Sequence, residues 1–299
     1  MIDARSPRVA VVGLEEGWSS RALADAFRER TGFGRIVELG HVVLDLERGT
    51  ATAGDLDLCS LDGLVVKKIG AQYGPEMLDR LELLRYVASR GVRIFSPPER
   101  IFAMVNRVSC TTALAAAGLP MPPTVLTEDV DEAIAAIGRF GEAVLKPIYS
   151  TKARGFRLLG PESDLKAELE DHRSTTGHPL FYLQKKIDLS GRDLGIVFLE
   201  GEYLGTYARI AGEGAWDTTI HSGGRYEAFE PEPAVVELAR RAAELFGLTL
   251  CGVDVALTPD GPMLFEVSAF GGFRGASEGT GINAAALYVE HALKELETR

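Results

Sequence analysis

Two acidic residues interrupt two apolar runs near the C-terminal end of the chain. The runs are Gly252-Val253-Asp254-Val255-Ala256-Leu257 and Pro262-Met263-Leu264-Phe265-Glu266-Val267-Ser268, joined by Thr258-Pro259-Asp260-Gly261. The pattern predicts a hairpin. A bulged turn with Gly261 in the left-handed region sets Asp254 opposite Glu266 on one sheet face. Two like charges in an apolar setting are costly unless a cation or a proton lies between them. Hard oxygen donors of this kind suit Mg2+, which takes one or two carboxylates and shares substrate phosphates. The same spacing also fits a solvated face on which strand acids alternate outward.

A second segment runs Val144-Leu145-Lys146-Pro147 and then Ile148-Tyr149-Ser150-Thr151-Lys152-Ala153-Arg154-Gly155-Phe156. A lysine closing an apolar strand leads into a small, polar, basic loop. Such a loop can close over phosphates through backbone N–H groups and cations. It lacks the G-K-[ST] of a Walker A loop, and an ordinary surface hairpin is the other reading. Six further cations, Lys185, Lys186, Arg192, Arg209, Arg225 and Arg274, stand around glycine-containing strands. They are either snorkelling surface residues or the walls of an anion pocket. The stretch from Ala269 to Gly281 is dense in glycine and reads as a loop directly after a candidate metal ligand.

The elements that must position these groups fall into two parts. Strands read at 8–14, 35–39, 61–69 and 92–95 alternate with helices at 19–30 and 76–90. Ser19 is the expected N-cap of the first helix, and Gly91 follows the second as a C-cap glycine. This alternation predicts a small, mostly parallel sheet. Pro97-Pro98 then marks a boundary, giving domains 1–98 and 99–299. Beyond it the pattern predicts helices at 99–117, 130–140, 163–172, 232–246 and 282–297. Strands are expected at 143–148, 181–187, 194–200, 203–210, 249–257 and 263–268. The fold class is therefore α/β followed by α+β, the second part built on a larger antiparallel sheet.

At 299 residues, 46% hydrophobic and 25% charged, the chain has room for about two domains and is neither disordered nor fibrous. A net charge of −11 opposes non-specific binding to nucleic acid or to an anionic membrane. Cys59, Cys110 and Cys251 stand far apart without metal-site spacing, which fits a reducing cytoplasm. No apolar run reaches the roughly 18 residues of a membrane helix, and the start has no signal-peptide core.

Taken in order, the segments resemble the ATP-grasp superfamily and, within it, the RimK-like glutamate ligases. Asn106-Arg107 with the helix ending at Gly118-Leu119-Pro120-Met121-Pro122 resembles the family's opening helix. Leu145-Lys146-Pro147 resembles its ATP-lysine strand, Gln184-Lys185-Lys186-Ile187 its adenine hinge, and Gly191-Arg192-Asp193 the G-x-D that follows. Gly252-Val253-Asp254 and Phe265-Glu266-Val267-Ser268 resemble its metal strands, and Gly275 through Thr280-Gly281-Ile282-Asn283 its glycine-rich tail. Val65 to Gly70, Leu78 to Tyr86 and Ile94 to Pro97 are similar to the tetrahydromethanopterin:α-L-glutamate ligase branch.

The resemblance implies an ATP-grasp fold preceded by a pre-ATP-grasp domain at 1–98. Within 99–299 it implies a lid-bearing part at 99–183 and a metal-bearing part at 184–299. It implies a carbon–nitrogen ligase that activates a carboxylate with ATP, passes an acyl phosphate to an amine, and releases ADP and phosphate. Arg107 and Lys146 would hold phosphates, and Gln184, Lys185, Lys186 and Ile187 the adenine. Asp193 would take the ribose, and Thr219 also falls in the nucleotide set. Asp254, Glu266 and Ser268 would hold two Mg2+ (or Mn2+) ions, and Arg209 would stabilise the transferring phosphoryl group. L-glutamate and a small one-carbon-cofactor-type acceptor are the implied substrates, and a cytoplasmic homo-oligomer the implied state.

Four places depart from the family pattern. Ser268 replaces an asparagine, Gly195 an arginine, Asp217-Thr218-Thr219 before His221 replaces Arg-x-Asn, and Arg107 stands where lysine is common. Arg274, Arg225 or Lys152 could restore the lost charge. These departures keep other readings open: a peptide or protein glutamate ligase, a nucleotide-binding regulator without turnover, or a kinase on the same fold.

Overall fold

The computed structural model describes residues 6–151, 153–220 and 223–298. The chain opens with β1 (Val9–Val12), α1 (Trp18–Thr31) and β2 (Ile36–Val37). A short antiparallel trio follows, β3 (Val43–Asp45), β4 (Thr50–Ala53) and β5 (Leu56–Asp57). Then come β6 (Gly63–Val66), α2 (Glu76–Ser89) and β7 (Arg93–Phe95). The strands β2-β1-β6-β7 form a parallel sheet in that order. Every residue of β1 and β6 is buried, as strands covered on both faces require. The trio has no counterpart in the sequence reading, because strands of two to four residues carry too little periodicity. Helix α1 starts at Trp18 with Gly17 as N-cap, not at Ser19. The Ser20 hydroxyl turns back to accept the Leu14 N–H at 3.3 Å.

The helix expected at 99–117 is two helices, α3 (Pro98–Phe102) and α4 (Arg107–Ala116). Asn106 divides them by capping α4, its Oδ1 accepting the Ser109 N–H at 2.8 Å. A central sheet follows, built from β8 (Thr124–Thr127), α5 (Val130–Phe140), β9 (Ala143–Lys146), β10 (Arg157–Leu159), α6 (Leu165–Thr176) and β11 (Phe181–Lys185). Its strands run antiparallel in the order β10-β9-β11-β8, over a core of Ala133, Ile137, Leu145, Leu169 and Phe181. The subdivision expected at 183/184 falls inside β11, whose pairing with β9 continues through Lys185.

The large sheet has the order β14-β13-β12-β15-β16. It comprises β12 (Arg192–Leu199), β13 (Glu202–Ile210), β14 (Arg225–Ala228), β15 (Leu250–Thr258) and β16 (Gly261–Ser268), with α7 (Pro233–Glu244) packed on it. The chain ends in α8 (Phe273–Thr280) and α9 (Ala284–Glu297). Helix α9 returns to the first sheet, packing Tyr288, Val289 and Ala292 with Val9, Val11 and Phe27. Among the described residues no helix is long and apolar enough to cross a membrane.

The glycine-rich stretch after β16, expected as a loop, is helical over Phe273–Thr280. Its glycines serve close packing. A Cβ at Gly275 would stand 2.3 Å from the Tyr207 ring, and one at Gly279 would stand 2.7 Å from the Tyr207 Cβ. Gly195 closes the same ring from β12, where a Cβ would also lie at 2.3 Å. The arginine missing at 195 is thus replaced by space that Tyr207 fills. Gly195→Ala should lower stability by about 2 kcal/mol, the cost of overpacking a tight core. Urea unfolding measures it, and a midpoint equal to wild type would refute this account of the glycine.

Candidate active site

One cavity of about 930 Å3 opens between the C-terminal edge of the first sheet, the central sheet and the large sheet. Arg107, Lys146, Gln184, Lys185, Lys186, Ile187, Asp193, Arg209, Thr219, Asp254, Glu266 and Ser268 all line it. Residues scattered over 160 positions of chain are thus brought to one wall system by three sheets.

Asp254 and Glu266 are directly opposed across β15 and β16. The bulge that sets this register is not in the turn. Val255 pairs with Leu264 while Asp254 pairs with Glu266, so Phe265 is the extra residue. Phe265 and Glu266 consequently both reach the cavity. Each carboxylate meets an arginine: Arg209 approaches Asp254 Oδ2 at 3.0 Å, and Arg107 donates to Glu266 Oε2 at 3.0 Å. Burial, opposed by Arg209 and reinforced by Asp193 and Glu266, pushes the Asp254 carboxyl up to about 6. Ser268 Oγ accepts the Phe270 N–H at 3.2 Å.

Asp193 was expected at a ribose, but its two oxygens are engaged by side chains of the protein. Arg209 grips it through both Nε and a terminal nitrogen, and Thr218 donates to it at 2.6 Å. Asp193 is therefore the anchor that aims Arg209 at Asp254. Gln184 is engaged within the protein as well. Its Oε1 accepts from Lys146 Nζ at 2.5 Å and its Nε2 donates to Thr124 Oγ1 at 3.0 Å, so the side chain points into the sheet and fixes the lysine. Three rings surround that ammonium, Phe156, Tyr182 and Phe265, with centroids 5.1, 5.9 and 5.3 Å away. Burial, with repulsion from Arg107, pushes Lys146 down to about 7.

In the hinge segment the Lys185 and Lys186 amides donate to Pro123 and Glu142 carbonyls, and Lys186 Nζ pairs with Glu142 at 3.1 Å. Thr219 donates to Asp217 Oδ1 from its amide and its hydroxyl. Of the six cations grouped by sequence, Lys185, Lys186, Arg209 and Arg274 line the cavity. Arg225 and Arg192 do not: Arg225 pairs with Glu227 and Arg192 lies over Phe229, which removes Arg225 as a source of replacement charge. Lys152 and His221 lie outside the described residues. The loop before β10 forms the cavity rim through Thr151, Ala153, Arg154 and Phe156.

Several lining residues carry no motif and were missed. Thr218 and Tyr207 have no sequence signature. Lys67, directly after β6, lies in the Val65–Gly70 segment that carries the branch resemblance, but no site role attaches to it there. Trp18 and Trp216, both exposed, also line the cavity.

The donor set fits a hard divalent cation. Two opposed carboxylates, one with its carboxyl raised by burial, and a hydroxyl face one space. Among the described residues no group of three or more His, Cys, Asp or Glu gathers as a self-sufficient metal site. A cation held here would complete its shell with water and substrate oxygens, as Mg2+ commonly does.

Three sheets around a cavity, with a lysine on the central sheet facing paired acids on the large one, define the ATP-grasp architecture. The profile of RimK-like ATP-grasp domains matches residues 104–291. The chain is 28% identical to a tetrahydromethanopterin:α-L-glutamate ligase of Methanosarcina acetivorans, across 92% of this chain and 95% of that ligase. A crystal structure of a RimK domain ATP-grasp protein from Sphaerobacter thermophilus superposes with a TM-score of 0.73 at 23% identity, covering 95% and 98% of the two chains. The ATP-grasp ligase PsnB, complexed with a phosphomimetic variant of its minimal precursor, Mg and ADP, superposes at 0.74 and 18%, covering 97% and 99%. The chain belongs to the RimK-like ATP-grasp family and is an ATP-dependent ligase.

The depressed Lys146 carries a pH signature. Its folded value of about 7 lies below the ordinary 10.5, so between these values the unfolded chain binds the extra proton. The destabilisation is fully present below pH 7 and fades as pH rises towards 10.5. Relative to wild type, Lys146→Met should gain about 2–4 kcal/mol on going from pH 10 to pH 6. Denaturant titrations of the ligand-free protein at the two pH values measure this, and a pH-independent difference would contradict the assignment.

Proposed function

We propose that the protein joins L-glutamate to a small-molecule acceptor of the one-carbon-cofactor type, in an ATP- and Mg2+-dependent reaction. The observation that carries this reading is the opposition of Asp254 and Glu266 across one cavity from Lys146 and Arg107. The named activity of the methanogen relative supports the choice of amino acid and acceptor. The division into a pre-ATP-grasp part at 1–98 and an ATP-grasp part at 99–299 belongs to the same reading. So does a cytoplasmic location, with which three unpaired cysteines agree.

The acceptor carboxylate attacks the γ-phosphorus of ATP and ADP leaves. The glutamate amine then attacks the acyl carbon, phosphate departs with the C–O bond, and the nitrogen loses a proton. Lys146, held by Gln184 and its ring of aromatics, and Arg107, held by Pro147 and Ser150, orient the phosphates. The hinge residues Lys185 to Ile187 border the adenine end, where the Lys185 and Lys186 amides donate to Pro123 and Glu142 carbonyls and the Ile187 amide, among the described residues, has no backbone partner. Arg209, set by Asp193, faces the developing charge on the phosphoryl group. Asp254, Glu266 and Ser268 would hold two Mg2+ or Mn2+ ions, which when bound offset charge on the phosphates. The rim around Phe156 excludes water from the activated acyl group.

With Mg2+, ATP, L-glutamate and a panel of pterin-type and peptide acceptors, purified protein should release ADP only when glutamate and a matching acceptor are both present. The product should be heavier by one glutamyl residue. Glu266→Ala should lower turnover by about 100-fold or more. A product formed only on peptides would move the acceptor to that class. Nucleotide binding with no ADP from any pair would sink the ligase assignment to these substrates.

A further inference from the structure

The buried cation that the reaction above leaves unused is Lys67. It ends the run of β6 and lines the cavity on the side of the first sheet, away from the hinge segment. The residue is 6% exposed. Its ammonium donates to the Phe270 carbonyl and lies 4.3 Å from the centroid of the Phe273 ring. Among the described residues it forms no ion pair. Glu16, on the same wall, is exposed.

An ammonium has three N–H donors and no acceptor. One is spent on a neutral carbonyl and the ring face takes part of the charge, which leaves a buried positive charge without an anion. Such a charge is expensive in the free protein, and burial, with Lys68 adding to it, pushes it down to about 7. The cost is recovered when a ligand brings a negative group. The surrounding wall suits one: Gly17, Ser19 and Ser20 of the first turn of α1 line it, and that turn contains no acidic residue. In the reading above the reacting phosphates are served elsewhere, by Lys146 on the central sheet and Arg107 at the start of α4. An amide ligase that adds an amino acid must also hold a carboxylate that it does not activate.

We infer that Lys67 is the seat of that second carboxylate, so that the edge of the first sheet takes part in selecting the substrates. This rests on the ligase reading above. It adds that the anion is a carboxylate of the incoming amino acid.

Calorimetric titration of L-glutamate and of glutarate into the protein loaded with AMPPNP and Mg2+ tests it. L-glutamine and L-isoglutamine separate the γ- from the α-carboxylate. Lys67→Met should bind L-glutamate at least about 30-fold more weakly, the scale of removing one partner of a buried charge pair. Lys67→Arg should retain most of the affinity, and AMPPNP binding should be unchanged in both variants. Lys67→Gln repeats the neutral substitution should the methionine variant fail to fold. If wild type binds glutarate through Lys67 but not L-glutamate, the assignment to the incoming amino acid is overturned. Equal binding of L-glutamate by wild type and Lys67→Met overturns the inference while leaving the ligase reading intact. Binding of neither dicarboxylate by wild-type protein that binds AMPPNP overturns it as well.

Discussion

Two carboxylates on neighbouring strands, side by side at the floor of a cavity, repel one another, and much of the surrounding structure answers that repulsion. Each acid is met by a different arginine from a different element, Asp254 by Arg209 on β13 and Glu266 by Arg107 at the start of α4. Neither arginine is left to find its own position. Asp193 and Thr218 fix the first, and Pro147 and Ser150 the second. Without its arginine either acid would face the other across the strands with no counter-charge. The cavity is thus a set of interlocked charges in which cations hold the place of positive ligands.

The apolar packing beneath this set has a matching logic. Tyr207 stands two residues from Arg209 on β13, and its ring is enclosed by Gly195, Gly275 and Gly279 from a strand and a helix. None of the three needs a left-handed backbone at these positions. Their value is the missing Cβ, which lets α8 lie close against β13 and carries the chain from the acid-bearing strand β16 back to the first sheet. Position 195, where the family pattern has an arginine, is therefore tied to a tyrosine twelve residues later.

The sequence made most of the fold readable wherever an element was long enough to show a period. The parallel sheet, α2, α5, α7 and the β15–β16 hairpin follow directly from spacing and turn residues. The two-to-four-residue strands β3, β4, β5, β8, β10 and β14 did not, since pairing rather than local pattern creates them. Asn106 is a cap that splits one apparent helix into two, a decision made by a single side chain. The glycine-rich segment misled because glycine signals both loop and close contact, and only the partner, Tyr207, tells them apart. At the site, the family resemblance carried by the ordered segments marked twelve of the lining positions, but not what each holds. Asp193 and Gln184 line the cavity as expected, and they also anchor Arg209 and Lys146. That second part depends on which way a side chain turns from a strand.

The chain contains two tryptophans, and both stand at this cavity, one beginning the first helix and one in the connection leading to β14. Neither belongs to the buried core. Indole emission from this protein therefore originates wholly at the substrate chamber, with no background from the packed interior. The molecule carries its own optical reporter: a change in its ultraviolet fluorescence on mixing reports directly on events within the chamber, without a label or a coupled assay.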